Sequence, residues 1–156
     1  RRENNRWSQP ILEGKKIAFA GFIKKNINNH EHYLCKYILK PGLKKSVVSC
    51  TVNTSDLLNF NKDKNLSNLD KNFISKYFLK KNHKVEYDNI LSEEGGRFYK
   101  CQIRYMIINV GFNELNKIAD NYIWLSHNQI IDLIEEKRLD IESRLLFACG
   151  NIEHIK

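Results

Sequence analysis

The stretch between residues 92 and 105 concentrates side chains that could perform acid–base and anion-binding chemistry. Glu93 and Tyr99 can each exchange a proton, and Arg97 and Arg104 carry the planar guanidinium that matches phosphate oxygens. Outside this stretch, His32 carries an imidazole and could act as a base. Four of these residues also have a structural alternative. Glu93 could belong to a solvated turn, and Tyr99 could pack in the core. Arg104 could form an ion pair, and His32 could make a simple hydrogen bond.

Motifs that hold a metal or a dinucleotide are missing from the sequence. The four cysteines are separated by 15, 51 and 48 positions, and no Cys/His ligand spacing occurs. His30 and His32 would share one side of a strand, but a pair without a third ligand does not predict a metal site. No glycine-rich phosphate loop or H-E-x-x-H sequence is present. We therefore expect no metal and no cofactor, and the cysteine usage favours a reducing, cytoplasmic compartment.

The charge of the chain is strongly basic. Lys plus Arg number 26 against 18 for Asp plus Glu, which gives a net charge of +8. An anionic partner is one interpretation. A coding bias is the other, because 19 Lys, 19 Asn and 18 Ile are what an AT-rich sequence would produce. No apolar run approaches the roughly 20 residues of a membrane span, so we expect no membrane association through a helix.

Apolar periodicity predicts an α+β chain with a mixed or antiparallel twisted sheet and about three helices. A turn at 26–29 and Pro41–Gly42 separate the first three predicted strands. Ser126 with Gln129 is a capping box, and Asp140 can cap the last helix. The predicted strands are 17–24, 33–39, 46–51, 84–92, 97–110 and 122–125. The predicted helices are an apolar stripe from Leu66 to Phe78, a helix after Ser126, and a helix from Asp140 to Gly150.

Three stretches occur together in an order that is typical of one enzyme family. The first is R-W-S-Q-P-I at 6–11, the second is S-E-E-G-G-R-F-Y at 92–99, and the third is W-L at 124–125 followed by E-S-R at 142–144. In these stretches the chain resembles the NDP-hexose 2,3-dehydratases, enzymes of deoxysugar biosynthesis. The resemblance covers residues 1 to about 150.

The resemblance implies a nucleoside-diphosphate 4-keto-6-deoxyhexose as substrate, with a thymidine-diphosphate sugar as the expected form. Water would be lost across carbons 2 and 3, because the ketone at carbon 4 makes the carbon-3 proton acidic. Such a site needs a base, donors that face the enolate oxygen, and an acid for the departing hydroxyl. The candidates for acid–base work are Glu93, Tyr99 and His32, and no redox cofactor is needed.

The resemblance also implies which residues bind the substrate. Arg97 and Arg104 suit a diphosphate, and Trp7 could stack on the nucleotide base or close the core. The residues implied for substrate binding are Trp7, Gln9, Thr51, Asn53, Arg97 and Arg104. The chain departs from the family pattern in four places. The largest departure is at 36–42, where Q-A-K-x-E-P-G reads K-Y-I-L-K-P-G. The others are C-T-V-N-T at 50–54, Glu94 in place of Gln, and Q-I-R-Y-M at 102–106, which keeps only Arg104 and Met106 of R-N-R-N-M.

Family members normally contain two related halves, each resembling a Nudix-type fold, and this chain resembles most of one half. We therefore expect a single domain over residues 1–156. A lone half would expose the face that normally meets its neighbour, so we expect a homodimer. The alternative function is a non-catalytic nucleotide-sugar-binding or scaffold half that pairs with an active partner. A nucleic-acid-binding module is the weakest alternative, because no aromatic-and-basic strand motif is present.

Overall fold

A computed structural model describes residues 10–39, 46–80, 82–93 and 98–151. The strands in these ranges are β1 (Leu12–Glu13), β2 (Ile17–Ile27), β3 (His30–Ile38), β4 (Val47–Ser49), β5 (Val52–Thr54), β6 (Lys84–Ser92), β7 (Phe98–Tyr99), β8 (Gln102–Asn109) and β9 (Tyr122–Ser126). The α-helices are α1 (Asn68–Phe73), α2 (His127–Glu135) and α3 (Ile141–Gly150). This arrangement confirms the α+β class, the mixed sheet and the three helices.

The main sheet combines antiparallel and parallel pairs. β2 is antiparallel to β3 and parallel to β8, while β6 is antiparallel to β8 and lies at the sheet edge. β9 pairs with β3 on its other side. A second, two-stranded sheet joins β1 to β7 in parallel. The parallel pairing of β2 with β8 brings the start of both strands to one end of the main sheet, beside this second sheet.

β2 and β3 form a hairpin that opens at one end. Asn28 and Asn29 both have positive φ, 52° and 63°, and they form a two-residue hairpin turn inside the turn expected at 26–29. Pairing between the two strands ends at Ile23 and Leu34. Beyond this point β5 pairs with β2 and β4 pairs with β3. The strand expected over 46–51 is present as β4 but ends at Ser49, because the chain crosses from β3 to β2 before β5 begins.

The long strand expected over 97–110 is interrupted and forms two strands, β7 and β8. Lys100 has a φ of 55° and separates β7 from β8. A left-handed residue interrupts the alternation of side chains. β7 therefore pairs with β1, whereas β8 pairs with β2 and β6. The shared face expected for 98, 100, 102 and 104 holds only within β8.

The second and third helices begin where the sequence predicts, and α1 begins two residues after Leu66. Ser67 caps α1 and Ser126 caps α2, each in a capping box with the residue three positions later. Asp140 caps α3 by accepting from the backbone N–H of Ser143. The stripe expected from Leu66 to Phe78 is α1 followed by a π-helical turn, Ile74–Phe78. No helix among the described residues is long and apolar enough to cross a membrane.

The sheet buries apolar side chains on both faces. On one face Phe19, Ile23 and Met106 pack against α1 and the π-helical turn. On the other face, which α2 and α3 cover, the buried residues include Phe22, Tyr33, Ile107, Ile130, Leu146 and Phe147. Alternation along β2 and β8 sends successive residues to opposite faces. The even-numbered residues of β8 therefore share the α1 face of the sheet.

Candidate functional site

The segment after residue 9 is tied to the 93–101 connection, which joins β6 to β8. In the β1–β7 pair, Glu13 lies opposite Tyr99. The backbone N–H of Gly14 donates to the carbonyl oxygen of Tyr99, with 2.8 Å between N and O. A Cβ at Gly14 would lie 2.6 Å from the Cα of Cys101, so only glycine allows this approach. This contact joins the chain that follows the first family stretch to the second one.

Glu93 and Tyr99 stand at the two sides of the 93–101 connection. The backbone N–H of Glu93 donates to the carbonyl oxygen of Cys101 at 2.9 Å. Tyr99 is 53% exposed, and Lys100 Nζ lies 4.9 Å from the centre of its ring. The tip of the connection, with Arg97, lies outside the described residues. Two proton-exchanging side chains therefore flank the same short segment.

The pKa of Tyr105 depends on acidic side chains at this end of the sheet. Burial raises the pKa of Tyr105 to about 12, and the negative charges of Glu142 and Glu93 add to the shift. Glu142 belongs to α3 and to the third family stretch. One residue of the second stretch and one of the third therefore both influence the pKa of Tyr105 in β8.

A cavity of about 540 Å³ lies where β1 ends and where β2 and β8 begin. Ile17, Gln102 and Ser92 form one row across β2, β8 and β6. We call it the lysine cavity, and it is lined by Gly14, Lys15, Lys16, Ile17, Ser92, Lys100 and Gln102. Lys16 Nζ pairs with Asp56 at 3.0 Å, which lowers the pKa of Asp56. Three lysines therefore line this cavity, of which Lys16 is already paired with Asp56, and the charges of Lys15 and Lys100 suit an oxyanion.

Arg104 lies on the face of β8 that Gln102 also occupies, about 7 Å further along the strand. Its Nε and Nη2 donate to the two carboxylate oxygens of Asp88 at 2.8 and 2.7 Å. This bidentate pair raises the pKa of Arg104. The side chains remain 31% and 34% exposed. The structural alternative for Arg104 is therefore present, and the ion pair is still accessible from solvent.

Thr51 is fully buried between the diverging strands. Its hydroxyl accepts from the backbone N–H of Ile23 at 2.9 Å and donates to the carbonyl oxygen of Leu34 at 2.5 Å. These are the residues at which β2–β3 pairing ends. The hydroxyl donor is thus already used within the sheet. Asn53 is exposed on β5, opposite Ala20 of β2.

His32 lies at the opposite end of the sheet. It pairs with Lys25, six residues along β2 from Phe19, which is the partner of Arg104. Six residues of strand span about 20 Å. His32 Nδ1 lies 2.9 Å from the carbonyl oxygen of His30, beside a separate cavity of about 500 Å³. The structure does not bring His32 together with Glu93, Tyr99 or Arg104.

Histidines and acids form no metal site within the described ranges. His30, His32 and His127 line the second cavity, but no group of three or more His, Cys, Asp or Glu side chains is arranged to hold a metal ion there or elsewhere in these ranges. Two further expected binding residues, Trp7 and Gln9, lie outside the described residues.

Comparison with known proteins decides the family. A family model described as NDP-hexose 2,3-dehydratase matches residues 1–149. The chain belongs to the NDP-hexose 2,3-dehydratase family. This result confirms the family resemblance and extends over almost all of the chain.

Curated relatives cover this dehydratase-family chain almost completely. A dTDP-4-dehydro-6-deoxy-alpha-D-glucopyranose 2,3-dehydratase from Saccharopolyspora spinosa is 28% identical over 148 residues, covering 94% of this chain and 30% of the relative. The enzyme of that name from Streptomyces violaceoruber is 27% identical over 155 residues, covering 95% and 32%. The chain therefore spans about a third of the length of the curated relatives it matches.

A solved structure supports the fold. A Nudix hydrolase from M. smegmatis, RenU, superposes with a TM-score of 0.53 over 89% of each chain, at 12% identity. At this identity the likeness concerns the fold alone. The expected Nudix-like architecture of this dehydratase-family chain is confirmed.

The departure from the family at Lys36 is compensated inside this chain. Lys36 Nζ donates to both carboxylate oxygens of Asp70, at 2.8 and 2.7 Å. Tyr122 Oη donates to Asp70 at 2.6 Å, and Ser67 donates to it through N–H and hydroxyl. Burial alone would raise the pKa of Asp70, but these hydrogen bonds and the charge of Lys36 lower it. Lys36 is therefore a neutralised structural cation, while Lys40 lies outside the described residues.

Sequence reasoning missed the lysines of the cavity and the carboxylate of Asp88. Lys15 and Lys16 resemble the other scattered lysine doublets, and Lys100 has no motif of its own. Their grouping depends on the parallel pairing of β2 with β8, which brings together segments far apart in sequence. Asp88 could have been found from the antiparallel register of β6 on β8, had that register been known.

Proposed function

We propose that this chain binds a nucleoside-diphosphate sugar at the lysine cavity and, as part of a dehydratase, serves the 2,3-dehydration of a 4-keto-6-deoxyhexose. The observation that carries the proposal is the contact between Gly14 and Tyr99, at 2.8 Å. It places Lys15 and Lys16 beside Lys100 around one cavity. Membership of the family supports the substrate class. The free thiols of the four cysteines support the cytoplasm as the compartment.

The diphosphate would occupy the cationic end of the site. A diphosphate carries at least two negative charges, and phosphate oxygens bind to ammonium and guanidinium donors. Lys15 and Lys100 line the cavity, and Arg104 lies next along β8 on the same face. The relatives act on a thymidine-diphosphate sugar by name, which makes thymidine diphosphate the first nucleotide to test.

The chemistry would take place beside the 93–101 connection. A base removes the proton from carbon 3, the electrons form the carbon 2–carbon 3 double bond, and the hydroxyl on carbon 2 leaves as water after protonation. Glu93 is the proposed base and Tyr99 the proposed acid, since both flank this connection. A positioned acid or base contributes about 10²- to 10⁴-fold to such a rate.

Activity is tested with a thymidine-diphosphate 4-keto-6-deoxyhexose in deuterated water. NMR should show loss of the carbon-3 proton signal and release of water without added nicotinamide or metal. Glu93→Gln and Tyr99→Phe should each slow the reaction by about 10²-fold or more while nucleotide binding is retained. Glu31→Gln, at the far end of the sheet, is the matched control and should react at the unchanged rate. Wild-type rates in both site variants would overturn the assignment of Glu93 and Tyr99.

The second candidate is a non-catalytic nucleotide-sugar-binding half that pairs with an active partner. The observation that favours it is the departure from the family at Lys36, whose ammonium is bound by both carboxylate oxygens of Asp70. Tight nucleotide binding together with unreacted substrate would select this function over catalysis by the chain alone.

A further inference from the structure

Arg104 uses only one edge of its guanidinium on Asp88. The contacts to Asp88 come from Nε and Nη2, at 2.8 and 2.7 Å. A guanidinium has five N–H donors, of which this carboxylate takes two. The remaining donors are both hydrogens of Nη1 and the second hydrogen of Nη2. They form the end fork of the guanidinium, which has no partner among the described residues.

The end fork has the geometry for a second oxyanion. Two parallel N–H groups fit two oxygens of one carboxylate or phosphate. Arg104 and Asp88 are each about one-third exposed, so the pair is not sealed in the core. Gln102, a lining residue of the lysine cavity, lies two residues earlier on the same strand and face. The cavity and Arg104 therefore lie on the same face of the sheet, and the backbone positions of Gln102 and Arg104 are about 7 Å apart along β8. Asp88 lies opposite Met106, on the side of Arg104 that faces away from the cavity.

We propose that Asp88 is a positioning residue that holds the side edge of Arg104, so that the end fork receives a phosphate of the nucleotide bound in the lysine cavity. This inference rests on the proposed function. The carboxylate of Asp88 on one edge restricts the rotamers of the Arg104 side chain before the ligand binds. This restriction lowers the conformational entropy that is lost on binding. Asp88 also repels the phosphate, and this repulsion is present whether arginine or lysine occupies position 104.

Lysine cannot use this device. An ammonium is a point charge without two parallel donors. A lysine held by Asp88 therefore has no second pair of donors to bind another oxyanion. The advantage of arginine over lysine at position 104 should therefore depend on Asp88. The repulsion from Asp88 cancels in this comparison, because it is present or absent for both cations.

The test is a double-mutant cycle on the full chain, with thymidine diphosphate titrated calorimetrically into wild type, Arg104→Lys, Asp88→Ala and the double variant. Arg104→Lys should weaken binding about tenfold when Asp88 is present, the equivalent of one charge-assisted hydrogen bond. In the Asp88→Ala background the same change should weaken binding less than threefold. Thermal melts of all four proteins establish that each is folded.

The outcomes separate the two levels of the proposal. Equal losses on Arg104→Lys in both backgrounds would overturn the positioning role of Asp88 and leave nucleotide binding intact. Absence of binding to folded wild type would overturn the proposed function itself. A loss that depends on Asp88, as expected, supports both.

Discussion

The backbone N–H of Gly14 donates a hydrogen bond to the carbonyl oxygen of Tyr99, with 2.8 Å between N and O. The two residues belong to segments 85 positions apart in the chain. Their contact continues the parallel pairing of β1 with β7 and forms one wall of the lysine cavity. The site therefore depends on how closely Gly14 approaches the 93–101 connection.

Gly14→Ala should open this wall. The added Cβ would lie 2.6 Å from the Cα of Cys101 and 2.7 Å from the carbonyl oxygen of Lys100, so the backbones must separate. We expect thymidine diphosphate to bind about tenfold more weakly, because the lysines on the two segments no longer face one ligand. Isothermal titration measures the change.

The matched control is Gly111→Ala. A Cβ at Gly111 meets only a side-chain oxygen of Glu114 at 3.5 Å, so the substitution requires no movement. Nucleotide affinity should remain as in wild type. Equal affinities for Gly14→Ala, Gly111→Ala and wild type would show that the closeness of this contact is irrelevant to binding.

Thr51→Val should destabilise the fold. Valine has the shape of threonine but leaves the N–H of Ile23 and the carbonyl oxygen of Leu34 without their buried partner. We expect a loss of about 3 kcal/mol in the free energy of unfolding. Thr51→Ser keeps both hydrogen bonds and should lose only about 1 kcal/mol, for the deleted methyl group. Urea unfolding of the two variants decides between a structural hydroxyl and one reserved for substrate, since equal stabilities would exclude the former.

Removal of the Asp70 carboxylate should change the dependence of stability on pH. The pKa of Asp70 is lower in the folded chain than in the unfolded chain. Its contribution is therefore full above the ordinary pKa of about 3.9 and is lost as pH falls through the folded value. Asp70→Asn should cost about 3 kcal/mol at pH 7, because Lys36 loses its buried partner. The cost should shrink toward pH 3, as followed by urea unfolding at several pH values.

Lys36→Gln provides the control for this pair. Glutamine is the residue of the family stretch at this position, and its amide can still donate to Asp70. The cost at pH 7 should be about 1 kcal/mol. The ion-pair assignment would be contradicted if the loss in the free energy of unfolding on Asp70→Asn did not depend on pH. It would also be contradicted if Lys36→Gln destabilised the chain more than Asp70→Asn does.

We expect the chain to form a homodimer through the outer face of α2 and α3. Ile131, Ile141 and Leu145 are 38%, 68% and 42% exposed on these helices. Exposed apolar side chains on neighbouring helices favour association with a like surface. Light scattering at micromolar concentration should give twice the mass of 18.5 kDa. Ile141→Glu should shift the mass to the monomer, whereas Leu58→Glu, at an 81% exposed position elsewhere, should not. A monomeric wild type would refute the dimer.

Local signals made much of the fold predictable. Ser126 with Gln129 is a predicted capping box formed within four residues, so it needs no tertiary contact. The capping box of Ser67 with Asp70 is equally local but was not predicted. The strand at 84–92 was predicted with its observed ends. Long-range contacts decided the rest. The break between β4 and β5 depends on the hydrogen bonds of Thr51 to two other strands, which no local pattern contains.

The candidate site was predictable in its residue types and not in its grouping. Glu93 and Tyr99 were found because they belong to a distinctive stretch. The partner of Arg104 depends on the register of β6 against β8, since Asp88 lies one row away from it on the neighbouring strand. His32 was included on its chemistry alone, and the length of β2 places it at the other end of the sheet.

The most direct test of nucleotide binding at the lysine cavity is an amide NMR titration of the full chain with thymidine diphosphate. The account predicts saturable shifts at residues 14–17 and 99–104, around the lysine cavity and Arg104. Shifts confined to residues 29–32 and 126–128, around the histidine-lined cavity, would contradict it, and so would an unchanged spectrum at millimolar nucleotide.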